Sequence, residues 1–582
     1  MRLASASALL LASCLGCGVT RAGAVAASAP ALATGSYVSL EKDAGGVGWI
    51  ATWHLDSAAT ELRFERRASG FRRDVFEVLT PGFTVQHDGG TEVLRTAGGP
   101  ARRIAVRFPE FDRELPKEYA FFRRFTDGSV AIYTGHLVAR PATRGVVGCD
   151  SCHVRRLRVT PPRGSRVVIG GRQLATSAEW TDTTGEGTYV YIGGIVPAEV
   201  PGVVAVTDPA LPRWLDARWR ELLPALFAFY TDRFDAAPTA RRTVLFDYRP
   251  SDVDGHMFGG GVLPGLIQLG AEGRAWETES PDALVRVAHF LAHEAAHVWN
   301  AELVRAPATA DPWIHEGSAD ALAQRALLAL SLIDETRFLE FQTAALNECR
   351  AGIGSRSVRD AGRAKPALVY ACGNMLALLT ETSLRRRDQA SLFDVWRRII
   401  ADARARGGSY SYASYLDAWR ALGAGEDDVR TLTSLLDGTG AGDALTAALV
   451  ARGVAIEADT VPPTTYTQTL GRDALLALQV EDCGGRASFE QRSGGLLVAG
   501  GLRCATLPAG VLVTTIGGHD VIAGGHRAWG HLVERCGSAQ PVVVGFVATA
   551  DGAESAGSVA LTCREPTAAR PPYVRITSRP RS

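Results

Sequence analysis

The stretch from His293 to His297, which reads His-Glu-Ala-Ala-His, has the residue types and spacing of a metal site. Two histidines four positions apart on a helix lie about 5–6 Å from each other on one face, so both imidazoles can bind one ion. Glu294 lies to the side of that ion, where a carboxylate can take a proton from a water at an open coordination position. Eighteen residues separate His297 from Glu316, which we predict to be the third ligand. Together these residues predict metal-assisted hydrolysis with one Zn²⁺ per chain.

Two helices must position these side chains. Ser280-Pro281 has a preferred N-cap residue followed by a proline suited to the first turn. Apolar residues then recur at helical spacing over residues 284–299, so one helix carries both histidines. Asp311-Pro312 begins a second helix in the same way and places Glu316 in its first turns. Glu316 can therefore reach across to a metal held by the first helix.

Asp320 and His289 lie near the ligands in the same helical pattern. Asp320 follows Glu316 by one turn and is placed to accept a hydrogen bond from a ligand histidine, which fixes the tautomer of the ring. His289 continues the stripe of His293 and His297. The rise from His289 to His297 is about 12 Å, which is too far for both to bind one zinc. We therefore predict that His289 is a supporting or core histidine.

Residues 293–320 resemble the gluzincin metallopeptidases, specifically the aminopeptidase N-like group. Residues 313–317 have the Trp-x-x-Glu-Gly pattern of that group, and the eighteen-residue gap also agrees. Residues 297–300, followed by Arg305 and Pro307, are more similar to the glycyl aminopeptidase family. Members of that family are bacterial, carry an N-terminal β domain and end in a PDZ domain.

The resemblance implies a thermolysin-like, mostly helical catalytic domain that hydrolyses peptide bonds with zinc. In both families a tyrosine downstream of the glutamate ligand hydrogen-bonds the tetrahedral intermediate. Tyr370, within residues 369–374, is similar in setting and falls on a predicted helix. The alternative for Tyr370 is a half-buried helix tyrosine without a catalytic role.

The sequence departs from the aminopeptidase N pattern upstream of the zinc helix. Relatives carry a Gly-x-Met-Glu-Asn strand there, whose glutamate binds the free amine of the substrate. Residues 258–269 have the glycines and indicate an edge strand that could pair with an extended peptide, but they lack the glutamate. Aminopeptidase and endopeptidase activity both stay open.

Composition indicates a multidomain protein that does not bind nucleic acid. A chain of 582 residues is expected to form about three or four domains. Lys and Arg together number 62, as do Asp and Glu, so the net charge is zero, and the sequence has no basic stripe. We expect a peptide or protein substrate as the partner, and the oligomeric state stays unknown.

The first 27 residues have the features of an export signal, with Arg2 followed by a short apolar run. Residues 11–14 resemble a bacterial lipobox, in which Cys14 would be acylated. Small residues at positions 22–27 offer an alternative cleavage site that would release a soluble protein. We therefore expect an exported protein that is periplasmic, secreted or an outer-membrane lipoprotein.

If the protein is exported, its cysteines are expected to form disulfides, because disulfides form in oxidising compartments. Proximity in sequence predicts the bridges Cys149–Cys152, Cys349–Cys372, Cys483–Cys504 and Cys536–Cys563. The second bridge would help to hold Tyr370 over the zinc. The stretch from Cys149 to His153 also matches the attachment pattern of c-type haem, but we favour the disulfide because its flanks indicate strands and turns.

The pattern of elements predicts a multidomain α+β protein. Residues 1–27 are the signal, residues 35–200 form an N-terminal β domain, and residues 205–458 form the mostly helical zinc domain. Residues 464–565, with strands, glycine turns and a short helix over 528–534, resemble a PDZ domain, the alternative being a generic disulfide-linked β domain. Residues 566–582 are rich in proline and arginine and are expected to be disordered.

We therefore predict a zinc metallopeptidase of the cell envelope. In the predicted mechanism His293, His297 and Glu316 bind zinc, Glu294 transfers the proton, and Tyr370 stabilises the oxyanion. A zinc-containing binding protein without activity is one alternative. A metallohydrolase with a non-peptide substrate is the other, since one relative in the aminopeptidase N group opens an epoxide.

Overall fold

The computed structural model describes most of the chain after the first 34 residues. The described residues are 35–66, 70–111, 115, 119–143, 153–238, 240–251, 256–305, 311–385, 390–459, 462–485, 487–499, 503–550, 553–563 and 571–580. The predicted signal, Cys14 and the pair Cys149 and Cys152 lie outside them. None of the helices within the described ranges is both long and apolar enough to cross a membrane.

The N-terminal part is built from β-strands, as predicted. Its elements are β1 (Tyr37–Lys42), β2 (Gly48–Ala59), β3 (Glu61–Phe64), α1 (Phe71–Val75), β4 (Glu77–Val78), β5 (Phe83–Asp88), β6 (Thr91–Thr96), β7 (Ala101–Pro109), β8 (Phe122–Arg124), β9 (Val130–Tyr133), β10 (Ala139–Ala142), β11 (Arg156–Thr160), β12 (Arg166–Ile169), β13 (Arg172–Leu174), β14 (Ala178–Thr181) and β15 (Tyr189–Gly193). They form sheets of order β14-β11-β1-β2-β7-β4, β10-β3-β6-β5 and β13-β12-β15-β9-β8.

Alternation of side chains explains how these strands form a core. On β2, Trp49, Ala51 and Trp53 are two positions apart and are all buried, because successive strand residues point to opposite faces. On the paired strand β7, Ile104 and Phe108 are buried in the same way. The buried residues of both strands belong to one apolar cluster.

The central part combines one sheet with a helical body. Its elements are β16 (Ala198–Val200), β17 (Val203–Thr207), α2 (Arg213–Phe234), β18 (Arg242–Arg249), β19 (Met257–Leu263), β20 (Leu266–Glu272), α3 (Pro281–His297), α4 (Ser318–Ala329), α5 (Glu335–Ile353), α6 (Val358–Ala364), α7 (Leu368–Arg385), α8 (Leu392–Ala405), α9 (Tyr412–Ala421), α10 (Glu426–Asp437) and α11 (Ala441–Ala451). The sheet order is β16-β17-β18-β20-β19, and β19 is an edge strand antiparallel to β20.

The border between the first two parts lies slightly earlier than predicted. The predicted domains end at 200 and begin at 205, but β16 and β17 pair as an antiparallel hairpin across that gap. Because β17 also pairs with β18, the sheet of the central part begins at Ala198. A separate apolar cluster, which includes Tyr133, Tyr189, Val206 and Leu245, joins this sheet to the N-terminal part.

The C-terminal part is an antiparallel sheet with two helices and its own core. The elements in this region are β21 (Ala455–Ala458), α12 (Thr464–Asp482), β22 (Phe489–Arg492), β23 (Gly495–Val498), β24 (Leu512–Ile516), β25 (His519–Asp520), α13 (Gly525–Gly537), β26 (Val542–Ala550), β27 (Ala553–Leu561) and β28 (Val574–Ser578). Strands β22 to β27 form the sheet over this core, whereas β21 and β28 form a separate two-stranded sheet. The predicted short helix over 528–534 lies within α13, whereas α12 was not predicted. The relation to PDZ domains stays a prediction.

The prediction that residues 566–582 are disordered is wrong for residues 571–580. They include β28, which pairs with β21 and lies against α5 of the central part. Ile576 is buried, and its backbone N–H donates to Thr343 Oγ1 on α5 at 3.0 Å. Asn347, also on α5, both donates to and accepts from the backbone of Val574. The apolar Ile576 and these hydrogen bonds order a segment whose composition is typical of disorder.

We expect Ile576→Ala to destabilise the central part by about 2–5 kcal/mol, because the substitution leaves a cavity beside α5. Arg575→Ala, one position earlier on β28 and largely exposed, is the matched control and should change stability by less than about 0.5 kcal/mol. Thermal unfolding followed by circular dichroism measures both variants. Equal transition midpoints for Ile576→Ala and the wild type would show that β28 does not stabilise the fold.

Candidate metal centre

The helix that carries the histidine pair begins where the sequence predicts. Ser280 caps α3 by accepting a hydrogen bond from the backbone N–H of Ala283, and Pro281 occupies the first turn. After His297 the chain continues into a π-helical turn over Val298–Leu303. A second π-helical turn, Trp313–Gly317, precedes α4 and contains Glu316. π-Helical turns are rare in proteins, and those that occur are often located at functional sites.

The structure brings the three predicted metal ligands together. The Nε2 atoms of His293 and His297 are 3.0 Å apart, and Glu316 Oε2 lies 3.4 Å from the first and 3.2 Å from the second. The three donor atoms therefore converge on one point. Two imidazole nitrogens and one carboxylate oxygen form a donor set that suits zinc and leaves a coordination position open. The side chains present thus fit a single Zn²⁺.

Each histidine is oriented from behind by a polar side chain. His293 Nδ1 lies 2.8 Å from Asp320 Oδ1, as the sequence predicts. His297 Nδ1 lies 3.0 Å from Asn300 Oδ1, and the Asn300 amide donates to the backbone oxygen of His315 at 2.9 Å. These contacts place the N–H on Nδ1 and turn Nε2 of each ring toward the shared point. Asn300 is part of the family resemblance, but its contact with His297 was not predicted.

Glu294 is buried beside the ligands and is not fully paired. Among the described residues, its Oε2 atom has no hydrogen-bond partner. Burial raises the pKa of Glu294, while the neighbouring charges of His293 and His297 act in the opposite direction. Burial also opposes ionisation of Glu316, but its contacts with His293 and His297 outweigh burial and lower the pKa of Glu316. Glu316 is thus held as an anion, whereas Glu294 has a raised affinity for a proton.

Tyr370 lies in the first turn of α7 and faces the same site. Its ring centroid is 5.8 Å from that of His293, and its hydroxyl interacts with Glu316. Burial, followed by the charges of Glu316 and Glu294, raises the pKa of Tyr370, which keeps the phenol protonated and able to donate. The predicted role of Tyr370 in catalysis is compatible with this position.

Close helix contacts hold Tyr370 beside Glu316. A Cβ atom on Gly373 of α7 would lie 2.4 Å from the backbone oxygen of Trp313 and 2.7 Å from Gly317 Cα, so only glycine fits there. The predicted disulfide between Cys349 of α5 and Cys372 of α7 is present. The predicted bridges Cys483–Cys504 and Cys536–Cys563 are also present in the C-terminal part.

His289 lies outside the group of donor atoms. Its Nε2 atom is 3.8 Å from Asp320 Oδ1, and its ring stacks on Phe341 with centroids 5.1 Å apart. Burial lowers its pKa, which favours a neutral ring. His289 is thus placed next to the carboxylate that orients His293, in agreement with the supporting position predicted for it.

Two further side chains at the site were not predicted. His315 lies beside His297, with ring centroids 4.5 Å apart, and burial lowers its pKa to about 4. Its position next to Glu316 in the sequence was the available signal. Tyr119 comes from the N-terminal part and lines the same cavity, and burial raises its pKa to about 12. Nothing in the local sequence around Tyr119 indicates this long-range contact.

The cavity over the donor atoms is small, about 180 Å³. Its lining comprises Tyr119, Gly260, Gly261, Val262, His293, Glu294, His297, Ala301, His315, Glu316 and Tyr370. The predicted edge strand is therefore at the site, although residues 258–269 form two strands, β19 and β20, because Pro264-Gly265 makes a turn. A Cβ on Gly260 would lie 2.6 Å from the Phe290 ring, so this glycine allows β19 to pack closely on α3.

The overall fold is similar to that of a solved structure. The chain is similar to an aminopeptidase N family protein from Idiomarina loihiensis, with a TM-score of 0.59, 16% identity, and coverage of 94% of this chain and 98% of that one. It also aligns with yeast LTA4 hydrolase (TM-score 0.44, 12% identity, 77% and 72% coverage) and a two-domain M1 zinc metallopeptidase bound to L-arginine (TM-score 0.40, 14% identity, 69% and 93% coverage). The sequence matches no protein-family model and no curated protein. The first comparison shows that the chain shares its fold with an aminopeptidase N family protein over nearly its whole length.

We expect Asp320→Asn to lower the affinity for zinc by roughly 10–100-fold, because the carboxylate that orients His293 loses its charge. Asp282→Asn is the matched control, since Asp282 lies on α3 but is mostly exposed. Competition with a chromophoric chelator measures zinc affinity in both variants. If Asp320→Asn binds zinc as tightly as the control, Asp320 does not support the ligand.

We expect Gly373→Ala to destabilise the central part by about 1–3 kcal/mol, because the added methyl group overlaps the backbone of Trp313. Gly530→Ala is a matched control in α13, where an added Cβ meets no atom within 4 Å. It should instead stabilise its helix by about 0.5–1 kcal/mol. Chemical denaturation compares the two variants, and a neutral effect at Gly373 would contradict the close helix contact.

Proposed function

We propose that this chain is a zinc-dependent metallopeptidase of the cell envelope that hydrolyses peptide bonds by means of a metal-activated water. The observation that carries the proposal is the convergence of His293, His297 and Glu316 beside a buried, incompletely paired Glu294. A metal site that served structure alone would need four protein ligands and no base, whereas this site has three ligands and a base. The fold shared with an aminopeptidase N family protein supports the same conclusion.

The side chains divide the chemistry between them. Zinc, when bound, polarises the scissile carbonyl and lowers the pKa of water. Glu294 takes a proton from the attacking water and delivers it to the leaving amine, which its raised pKa favours. The Tyr370 hydroxyl donates a hydrogen bond to the oxygen that becomes negative. Asp320 and Asn300 keep the two histidine rings in place.

The lining of the cavity supports cleavage at internal peptide bonds. The carboxylates among its described residues are Glu294 and Glu316, and the mechanism assigns both to proton transfer and metal binding. Within the described lining of this cavity, no other carboxylate is therefore left to bind the N-terminal ammonium group of a substrate. The open edge of β19 offers backbone groups to an extended peptide instead.

The location in the cell envelope rests on the disulfides and the N-terminal sequence. Three disulfides are present in the described part of the chain, and such bonds persist in oxidising compartments. Residues 1–27 have the pattern of an export signal, with Cys14 as a site for a lipid anchor. We also propose that the C-terminal part is a PDZ-like domain, as in the glycyl aminopeptidase family, because it combines an antiparallel sheet with two helices.

We expect Glu294→Gln to bind zinc normally and to lower the rate of peptide cleavage by about 10²–10⁴-fold, because the amide cannot accept the proton. The mature protein is incubated with a mixed peptide library, and the products are identified by mass spectrometry. Glu279→Gln, an exposed substitution just before α3, should cleave like the wild type. Cleavage by Glu294→Gln at the wild-type rate would refute the mechanism, and wild-type zinc binding without any cleavage would favour a binding protein.

A further inference from the structure

A second and larger cavity adjoins the metal centre. Its volume is about 960 Å³, compared with about 180 Å³ for the cavity over the donor atoms. Glu316 and Tyr370 line both cavities, so the larger one opens at the side of the site that carries the tyrosine. The small cavity has room for the reacting group, whereas the second has the volume of a ligand pocket. Substrate groups next to the reacting bond can therefore extend into it.

The wall of the second cavity is mainly apolar. Its apolar lining side chains are Pro312, Trp313, Val358, Pro366, Ala367 and Val369. Trp313 is also buried against Tyr415 of α9, with ring centroids 5.5 Å apart, so this part of the wall is fixed in position. A wall of this kind favours an apolar group that leaves water on binding.

The charged groups in the wall are already paired with protein partners. Two guanidinium nitrogens of Arg359 donate to the two carboxylate oxygens of Asp311 at 2.7 and 2.9 Å, and the third is bonded to Asp437. Arg363 is largely exposed and pairs with Asp360 on the same helix. These arginines therefore do not select for a charged group, and the apolar surface determines what binds.

We propose that the second cavity is a specificity pocket for a bulky apolar side chain of the substrate, adjacent to the cleaved bond on the Tyr370 side. This inference rests on the proposed peptidase function and names the class of substrate. Leucine, phenylalanine and tryptophan would fill the pocket, whereas glycine and alanine would leave its wall in contact with water. Removing a large apolar side chain from such a pocket lowers kcat/KM by roughly tenfold or more.

The test narrows the pocket without changing the catalytic residues. Ala367 is exposed at the pocket wall immediately before α7, so Ala367→Trp adds bulk there without disturbing the core. Ala364→Trp is the matched control, because Ala364 is also exposed but does not line the pocket. Wild type, both variants and Glu294→Gln are incubated with a mixed peptide library, and the residues around each cut are counted by mass spectrometry. Values of kcat/KM are then measured for peptides that differ in that one residue.

We expect the wild type to select bulky apolar residues at one fixed position beside the cut. Ala367→Trp should lower kcat/KM for those peptides roughly tenfold or more, and should leave peptides with alanine at that position within about twofold. Ala364→Trp should match the wild type. Cleavage that depends on Glu294 but has the same residue profile in Ala367→Trp would overturn the pocket alone. The absence of any Glu294-dependent cleavage would overturn the proposed function and the pocket with it.

Discussion

The structure of the site depends on one requirement: the side chains of His293, His297 and Glu316 must direct their donor atoms to a single metal ion. Many contacts in the central part hold these three side chains in that arrangement. The Nε2 atoms of His293 and His297 are only 3.0 Å apart, a separation that a shared ion between them explains. Asp320 and Asn300 hold the opposite nitrogens of the rings. The π-helical turns around Asn300 and Glu316 change the local helix geometry where these side chains enter the site.

Close packing between helices also fixes the position of Tyr370 and of the apolar cavity beside it. The glycine contact between α7 and the turn that carries Glu316 lets two backbones approach more closely than any Cβ would permit. The disulfide between α5 and α7 joins the tyrosine helix to its neighbour, and β28 lies on the same α5. The position of Tyr370 therefore depends on elements far apart in sequence. It also sets the boundary between the small reactive cavity and the large apolar one.

Local signals predicted the parts of the site that lie on single helices. The cap at Ser280 and the helical spacing of apolar residues are short-range features, so α3 and the shared face of its histidines could be derived from the sequence. The position of Tyr119 could not be derived in this way, because its place beside Gly261 of β19 depends on how two separate parts of the chain pack. The strand β28 was not predicted for a related reason. Its neighbours in sequence are rich in proline and arginine, and it is ordered by the burial of Ile576 and by hydrogen bonds to α5, which is distant in sequence.

The central claim is that His293, His297 and Glu316 bind one zinc ion with an open coordination position. Anomalous diffraction at the zinc absorption edge, from crystals of the purified full-length protein, tests it most directly. The account predicts one strong peak about 2.0–2.2 Å from both Nε2 atoms and from the Glu316 carboxylate. A zinc-loaded protein with no peak at this position, or with a fourth protein ligand closing the ion's coordination, would contradict the account.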